Sequence, residues 1–329
     1  MPELPEVETI VADLRPHLVG RAIVRAELPF PTIVRYPEPE EFIDAVAGLR
    51  IVGMRRRGKF ILLDLDGGGM LVVHLGMTGQ LRLVDADAPI EKHTHAIFSL
   101  DGDSTSPSGA ARHLPRERGS DLSNSPSELG GDSASPSGAA RHLPRERGSD
   151  LSNSPSRPQQ LRYRDPRRFG RLLLGTQEEL LASKKMPRLG PEPIDPAFAP
   201  DELYRSLHRR RTSLKAVLLD QGAIAGVGNI YADESMHRAR LRPDRIASGL
   251  SRKSAQRLHE SLRDSLLMAI ENRGSSVDTY RDAWGELGGQ QEQLLVYGRA
   301  GEPCFTCGRP LKMIRLAGRS TVFCTKCQR

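Results

Sequence analysis

The amino-acid sequence predicts an α+β protein of several domains: an antiparallel β-sandwich with flanking helices, then a helical domain, then a small cysteine-rich module. Short apolar runs of strand length recur between residues 22 and 174, and helical periodicity dominates from 201 to 272. All four cysteines lie after residue 303. At 329 residues the chain is long enough for two domains that each bury a core.

The N-terminal domain is predicted over residues 1–187. It starts with an amphipathic helix at 5–14, where Val7, Ile10, Val11 and Leu14 follow the i, i+3, i+4, i+7 pattern. Strand-length runs follow at 22–28, 51–54, 60–65, 70–75, 80–84, 96–100, 161–163 and 171–174. Their regular spacing, with turn residues such as Asp66 and Gly67 between them, is typical of an antiparallel β-sandwich.

The second half of the chain is predicted to be mainly helical. Residues 188–200 are rich in Gly and Pro and have the composition of an interdomain linker. Helical patterns then occupy residues 201–207, 212–221, 230–239 and 251–272. We therefore expect a helical domain over 201–295 and a cysteine module over 296–329.

A duplicated segment interrupts the N-terminal domain. Residues 103–127 recur as 132–156 with one difference, Thr105 against Ala134. The repeat holds no Phe, Tyr, Trp, Val, Ile, Met or Cys, so it cannot bury enough apolar area to offset its ordering entropy. We expect 103–158 to be a disordered insertion in place of a hairpin tip, although a partner-binding arm is the alternative.

The charge of the chain favours a polyanionic partner. The formal net charge is +7, and residues 103–158 contribute nothing to it because their seven Arg balance seven Asp and Glu. Nucleic acid is the favoured partner, and a generically basic protein is the alternative. The first residues lack a secretory signal and no apolar run approaches membrane-spanning length, so a cytoplasmic, nucleoid-associated location without membrane contact is expected.

The cysteines form two C-x-x-C pairs, Cys304 with Cys307 and Cys324 with Cys327, separated by sixteen residues. Four thiolates at this spacing can bind one Zn²⁺ tetrahedrally, and no ligand position is left for water. The sequence therefore predicts one structural zinc ion. A redox role is the alternative, but no βαβ context surrounds either pair.

The N-terminus is a candidate nucleophile. Met1 before a small residue is normally removed, which would expose the secondary amine of Pro2. Such an amine can attack an electrophilic carbon and condense to an iminium ion. The carboxyl group of Glu3 could donate the proton that a leaving group needs. Many proteins begin Met-Pro, so this signal is weak on its own.

Five motifs in order resemble the formamidopyrimidine-DNA glycosylase family: PELPEVET at 2–9, HLGMTGQLR at 74–82, YRDPRRFGR at 163–171, GVGNIYADE at 226–234, and VYGRAGEPCFTC with FCTKCQ at the end. The resemblance covers the chain apart from the repeat. It implies a β-sandwich, a helix-two-turn-helix domain and a zinc finger. It also implies an enzyme that removes 8-oxoguanine and formamidopyrimidines from duplex DNA and then cleaves the abasic site, and we expect a monomer.

The resemblance implies roles for individual catalytic residues. Pro2 would form the Schiff base with C1′ of the sugar, Glu3 would be the general acid, and Glu6 a supporting carboxylate. Lys59 would be the proton donor for β-elimination and Arg319 the donor for δ-elimination. From the sequence alone Lys59 would be read as a solvated strand-end lysine, and Arg319 as a solvated turn residue.

The same resemblance implies DNA contacts. Met77, Arg167 and Phe169 would fill the space left when the damaged base is extruded, since chemistry on a base requires it to leave the stack. Arg210 and the turn before Asn229 would bind phosphate, the latter through a helix N-terminus. His93 matches another DNA-contacting position. The segment 274–282 resembles the loop that closes over the flipped base.

Two rival functions remain open from the sequence. The sister class that removes oxidised pyrimidines begins PEGPE, whereas this chain has Leu4, which favours the purine class. A zinc-dependent DNA-binding protein without activity would explain the charge and the cysteines. It would not explain why Pro2, Glu3 and Lys59 all stand at motif positions.

Overall fold

The structure is a computed structural model, and it describes residues 1–102 and 159–329. The expected disorder of the insertion at 103–158 lies outside the described residues. No helix in the described ranges is long and apolar enough to cross a membrane.

In the N-terminal part, the described residues form two sheets and three α-helices. In chain order they are α1 (Leu4–Leu18), β1 (Ile23–Glu27), β2 (Val34–Tyr36), α2 (Pro39–Val46), β3 (Ile51–Arg57), β4 (Phe60–Leu65), β5 (Met70–His74), β6 (Gln80–Asp85), β7 (Thr94–Leu100), β8 (Gln159–Arg164), β9 (Arg171–Gly175) and α3 (Gln177–Ala182). One sheet has the order β1-β7-β8-β6, and the other has the order β2-β9-β5-β4-β3.

The two sheets and α1 share one apolar core. Buried side chains from the five-stranded sheet, such as Leu63, cluster with those from the four-stranded sheet, such as Phe98, and with Val7 and Ile10 of α1. The predicted β-sandwich is therefore confirmed, with one parallel pair, β2 with β9, among otherwise antiparallel strands. β7 and β8, which flank the insertion in sequence, pair antiparallel with Ser99 opposite Gln160.

The C-terminal part consists of helices and one hairpin. The helices are α4 (Pro200–His208), α5 (Leu214–Leu219), α6 (Asn229–Arg238) and α7 (Arg252–Glu271), and the hairpin strands are β10 (Lys312–Leu316) and β11 (Arg319–Phe323). The side chains of Ser213 and Ser251 cap α5 and α7 by accepting main-chain N–H groups at 3.3 Å. Both begin where the sequence pattern changes from turn residues to apolar periodicity.

The start of α1 contacts both halves of the fold. Leu4 is buried in the core of the helical part, whereas Val7, three residues later, belongs to the sandwich core. The main-chain N–H of Leu4 donates to the carbonyl of Gly226 at 3.0 Å. The first residues of the chain are thereby fixed where the two cores meet.

Candidate active site

A cavity of about 480 Å³ opens beside the N-terminus. We call it the active-site cavity, and it is lined by Met1, Glu3, Lys59, His74, Met77, Leu219, Gln221, Gly228, Asn229, Ile230, Ser275, Val277, Asp278, Tyr280, Tyr297, Ala317 and Arg319. These residues belong to the segment that begins α1, to the β-sandwich, to the helical part, and to the hairpin of β10 and β11, which lies between the two cysteine pairs and which we call the cysteine hairpin. Residues far apart in sequence therefore meet at one point.

Pro2 is buried directly behind Met1, which lines the cavity. The Pro2 nitrogen is bonded to the Met1 carbonyl carbon, so removal of Met1 would leave that nitrogen as a secondary amine facing the space that Met1 vacates. Burial and the Leu4 to Gly226 hydrogen bond hold this amine in one place.

Glu3 lies against the N-terminus of α6. Its carboxylate accepts main-chain N–H groups of Gly228 at 2.7 Å, Ile230 at 2.9 Å and Tyr231 at 3.4 Å. The first N–H groups of a helix have no partner within the helix, and the helix dipole favours negative charge there. The carboxyl group of Glu3 thus caps the N-terminus of α6 from more than 220 residues away in sequence.

Glu6 connects three segments around the cavity. One of its carboxylate oxygens accepts the main-chain N–H of Glu3 at 2.8 Å, and the other accepts the Tyr231 hydroxyl at 2.6 Å and the N–H of Ser275 at 2.7 Å. Burial first, and the charge of Glu3 second, raise the pKa of Glu6 above its usual value. A proton is therefore held more readily at Glu6 than at an exposed glutamate.

Lys59 is the second residue of the two-residue turn between β3 and β4. Gly58 adopts a φ of 59° there, a left-handed conformation that favours glycine. The Lys59 side chain is only 6% exposed. Burial lowers the pKa of Lys59, and the nearby charges of Glu3 and Glu6 oppose this. The turn therefore carries a buried amine into the cavity.

Gly228 shows how closely Glu3 and Lys59 approach each other. A methyl group at this position would lie 2.5 Å from Oε1 of Glu3 and 2.7 Å from Nζ of Lys59. Both functional groups therefore converge on a glycine that leaves room for them.

Arg319 comes from the cysteine hairpin. Leu316 pairs with Arg319 across a turn in which Ala317 and Gly318 have φ of 48° and 73°. Arg319 is exposed, lines the cavity, and is close enough to Lys59 to lower the pKa of that lysine further. The hairpin is fixed to α6 by the buried carboxylate of Asp233, which accepts the N–H of Val322 at 3.1 Å.

The expected void-filling residues lie on two adjacent loops. Met77 is half-buried and lines the cavity, whereas Phe169 is 51% exposed and carries the guanidinium of Arg167 4.8 Å from its ring centre. The loops touch, because a methyl group on Gly76 would lie 2.5 Å from the carbonyl carbon of Phe169. His93 is close to the same loop, since its carbonyl accepts the N–H of Asp165 at 3.0 Å.

Asn229 and Arg210 occupy different places. Asn229 begins α6, lines the cavity and donates its side-chain amide to the carbonyl of Ser320 at 3.2 Å. Arg210 does not line the active-site cavity. It forms an ion pair with Asp220 beside a separate surface cavity that Arg205 and Gly222 also line.

The four cysteines form one cluster. Their sulfur atoms all lie within 4.8 Å of one another, with Cys307 to Cys324 at 3.5 Å and Cys304 to Cys327 at 4.0 Å. A tetrahedral zinc site with Zn–S bonds of ~2.3 Å requires sulfur atoms about 3.8 Å apart, so the cluster fits one structural zinc ion. Nε2 of His237 lies 3.7 Å from the sulfur of Cys304, where it can hydrogen-bond a ligating thiolate.

Several residues around the cavity were not predicted as site residues. Burial, together with Arg171 and Lys59, lowers the pKa of His74 to about 4, so its ring is neutral at neutral pH. Gln221 holds the turn before α6 by accepting the N–H of Gly226 at 2.9 Å and donating to the carbonyl of Val227 at 2.8 Å. His74 and Tyr231 stand inside recognised motifs, and Ser275 lies in the segment 274–282 that resembles the loop over the flipped base, whereas nothing local marks Gln221.

Comparison with known proteins identifies the family. Profiles of the formamidopyrimidine-DNA glycosylase N-terminal domain, the H2TH domain of the same enzymes, and a zinc finger found in FPG and IleRS match residues 1–114, 189–281 and 301–329. Formamidopyrimidine-DNA glycosylase of Desulforamulus reducens is 38% identical over 100% of this chain and 99% of that relative. The chain belongs to the formamidopyrimidine-DNA glycosylase family.

Solved structures agree with this assignment. The MutM (FPG) protein of Thermus thermophilus is 37% identical with a TM-score of 0.74, and the match covers 99% of this chain and 98% of that one. Lactococcus lactis Fpg in complex with abasic-site DNA is 30% identical with a TM-score of 0.77, covering 99% of each chain. The family confirms the predicted enzyme class, the fold and the zinc finger that the cysteine cluster fits.

Proposed function

We propose that this protein removes oxidised purines, 8-oxoguanine and formamidopyrimidines, from duplex DNA and then cleaves the abasic site by β,δ-elimination. One observation carries the proposal: Met1, Glu3, Lys59 and Arg319 line a single cavity, with Pro2 buried directly behind Met1. A nucleophilic amine, an acid and two cationic proton donors are what these reactions need. A Lactococcus lactis Fpg solved with Fapy-dG DNA supports the substrate class.

In the first step the Pro2 amine attacks C1′ of the damaged nucleotide and displaces the base. A secondary amine that attacks C1′ gives an iminium ion once the sugar ring opens, so the enzyme and DNA are joined covalently. Because Pro2 is buried and its neighbour Leu4 is hydrogen-bonded, the amine meets the sugar in a fixed orientation.

Glu3 is the proposed acid for opening of the sugar ring or departure of the base. The amides of Gly228, Ile230 and Tyr231 stabilise the carboxylate that remains after proton transfer. Glu6 supports this step, since its pKa is raised and its oxygen lies 2.8 Å from the Glu3 nitrogen.

Lys59 and Arg319 are the proposed donors for strand cleavage. The lowered pKa of Lys59 makes its proton easier to give up near neutral pH than that of an exposed lysine. Arg319 reaches the same cavity from the hairpin turn, where its guanidinium N–H groups can donate to the departing phosphate.

The remaining residues are proposed to hold the duplex. Phe169 and Met77 would occupy the gap left by the extruded base, with Arg167 facing the orphaned partner base. The side chain of Asn229 and that of His93 beside the Phe169 loop would contact the DNA backbone. The main-chain N–H groups at the start of α6, expected from the sequence to bind phosphate, instead donate to Glu3. Arg210 would bind a phosphate through the guanidinium N–H groups that Asp220 does not contact, since only one of its nitrogens is bonded to that carboxylate.

The zinc ion has a structural role in this scheme. Cys304, Cys307, Cys324 and Cys327 would bind it, and it would hold the base of the hairpin that carries Arg319. We further propose that the protein acts as a monomer, because the proposed catalytic groups all come from one chain. We also propose that it acts in the cytoplasm, where its DNA substrate would lie.

Borohydride trapping tests the proposal. Processed enzyme is mixed with duplexes that carry 8-oxoguanine or an oxidised pyrimidine, and the iminium is reduced to a stable complex. We expect trapping on 8-oxoguanine DNA, and no complex from protein that retains Met1. Undiminished complex from the blocked protein would exclude Pro2, and stronger trapping on the pyrimidine lesion would assign the chain to the sister activity.

A further inference from the structure

A second cavity lies between the helical part and the cysteine module. It measures about 590 Å³ and is lined by Arg240, Leu241, Arg245, Arg257, Thr306, Cys307, Lys326, Cys327 and Arg329. We call it the distal cavity. Five of its nine lining residues are cationic, and none is acidic.

The distal cavity is far from the active-site cavity. α6 begins at the active-site cavity with Asn229 and ends at Arg238, two residues before Arg240 of the distal cavity. At 1.5 Å per residue the helix spans about 14 Å. The hairpin also runs between the two cavities, with Arg319 at its tip and the cysteine pairs at its base. The distal cavity is therefore at the opposite end of both elements from the catalytic groups.

The charges of the distal cavity are not neutralised by carboxylates. Within the described ranges, none of the five cations forms an ion pair, and the side chains of Arg245 and Arg257 reach only uncharged oxygens. Nearby acids are engaged elsewhere: Asp244 pairs with Arg242 at 2.6 Å, and Glu260 accepts from Gln256 at 3.1 Å. Like charges this close repel unless an anion separates them.

The metal centre accounts for only part of this charge. Four thiolates around Zn²⁺ carry two net negative charges, and Cys307 and Cys327 line the cavity. Of the five cationic side chains, about three then remain without a counter-ion among the described residues.

The cavity is held rigidly by main-chain contacts. Arg329 donates its N–H to the carbonyl of Arg240 at 3.1 Å and accepts the N–H of Arg242 at 3.2 Å. The side chain of Gln328 adds a bond to the carbonyl of Leu241 at 2.8 Å. Arg240 also has a φ of 57°, an uncommon conformation for a side-chain-bearing residue that these contacts maintain. A site fixed in this way loses little entropy when an anion binds.

We propose that the distal cavity binds the phosphate backbone of a second, undamaged DNA segment while the first duplex occupies the active site. The cationic lining fits phosphates, and the lack of an aromatic ring in it favours backbone contact over base stacking. Two DNA sites at opposite ends of α6 allow the enzyme to pass directly from one segment to another. This inference rests on the proposed duplex substrate.

Direct transfer gives a kinetic test. The zinc-loaded protein is bound to a labelled duplex with a non-cleavable abasic analogue, and its dissociation is followed at increasing concentrations of unlabelled intact duplex. Non-specific DNA affinities of ~10⁻⁴–10⁻⁶ M predict that tens of micromolar competitor occupy the second site. We expect the dissociation rate to rise severalfold with competitor for the wild type. It should be independent of competitor for the triple variant Arg245→Gln, Arg257→Gln and Lys326→Gln.

A matched variant controls for total charge. Arg35→Gln, Lys184→Gln and Lys185→Gln remove three charges from exposed positions that line neither cavity, and this protein should behave as the wild type. Both variants should excise 8-oxoguanine from a short duplex at the wild-type rate and contain the same amount of zinc. Competitor-dependent dissociation that persists in the distal variant overturns the proposal. Loss of zinc from that variant also overturns it, because the cations would then serve the metal centre. Failure of the wild type to bind or cut the lesion duplex at all would instead overturn the proposed function.

Discussion

Replacing Gly228 by alanine should disable the active site while the fold persists. The added methyl group would lie 2.5 Å from Oε1 of Glu3, whereas ordinary contacts begin at 3.4 Å, so the carboxylate has to move by about 1 Å. The methyl group also approaches Nζ of Lys59 to 2.7 Å. A displacement of this size at reacting groups costs on the order of 100-fold in rate. The φ of −131° at Gly228 is open to alanine, so the backbone itself is not strained.

The assay separates chemistry from folding. Single-turnover base excision from an 8-oxoguanine duplex is measured beside cleavage of a preformed abasic site and thermal unfolding. Weakening one charge-assisted hydrogen bond of Glu3 costs about 1.5–3 kcal/mol, so the variant should melt several degrees lower but stay folded at the assay temperature. Gly249→Ala is the control, since a methyl group there meets no atom within 4 Å. Near-wild-type excision by Gly228→Ala would refute the inferred convergence of Glu3 and Lys59.

The other predictions concern proton transfer, zinc, pH and the insertion. Glu3→Gln should lose base excision but still cleave a preformed abasic site. Lys59→Ala should slow base release less on some lesions than on others. Equal loss of base excision and abasic-site cleavage in both variants would contradict separate roles for the two residues. Removal of zinc by a chelator, or Cys324→Ser, should weaken DNA binding in a titration while the β-sandwich stays folded. The reason is that ~10–16 kcal/mol of zinc-binding free energy is coupled to folding of the finger. Purified protein without bound zinc would contradict the structural role of the metal. The pKa of His74 falls from 6.5 to about 4 on folding, so the free energy of unfolding should decrease as the pH drops from 6.5 to about 4. In urea unfolding, His74→Gln should lose less of this free energy over the same pH range. Deleting 103–156 should leave excision and the slope of log K against log salt unchanged, and a clearly shallower slope would mean that the repeat contacts DNA.

The sequence predicted best those features whose geometry is determined by the spacing of residues close together in the chain. Two C-x-x-C pairs place four sulfur atoms close together in almost any compact arrangement, and the structure has them within 4.8 Å. The helices predicted at 212–221 and 251–272 from periodicity are present as α5 and α7, with starts within two residues of the predicted ones. Helix α2 and strand β2 were missed, because they are short and β2 is followed at once by Pro37.

Contacts that depend on tertiary packing could not be predicted in this way. Nothing near Glu3 in sequence indicates that its partners are the amides of residues 228–231, since that pairing exists only once the two cores meet. Arg210 has the pattern of a phosphate-binding arginine, but its pairing with Asp220 depends on how the turn between α4 and α5 folds. The distal cavity likewise gathers residues 240–329 only in the folded protein.

The burial of Pro2 has a consequence for how the enzyme matures. In the finished fold Pro2 is buried and the main-chain N–H of Leu4 is bonded to Gly226, so the bond between Met1 and Pro2 is less accessible to an aminopeptidase than in the unfolded chain. Residue 226 is synthesised more than 200 residues after the N-terminus. At ~5–20 residues per second, roughly 10–45 s therefore pass before Gly226 is available to bind Leu4. If Pro2 is the nucleophile, removal of methionine is expected to be fastest within that interval, while the chain is still being translated. A chain that folds with Met1 in place stays inactive until Met1 is removed, so the cellular yield of working enzyme depends on the speed of N-terminal processing.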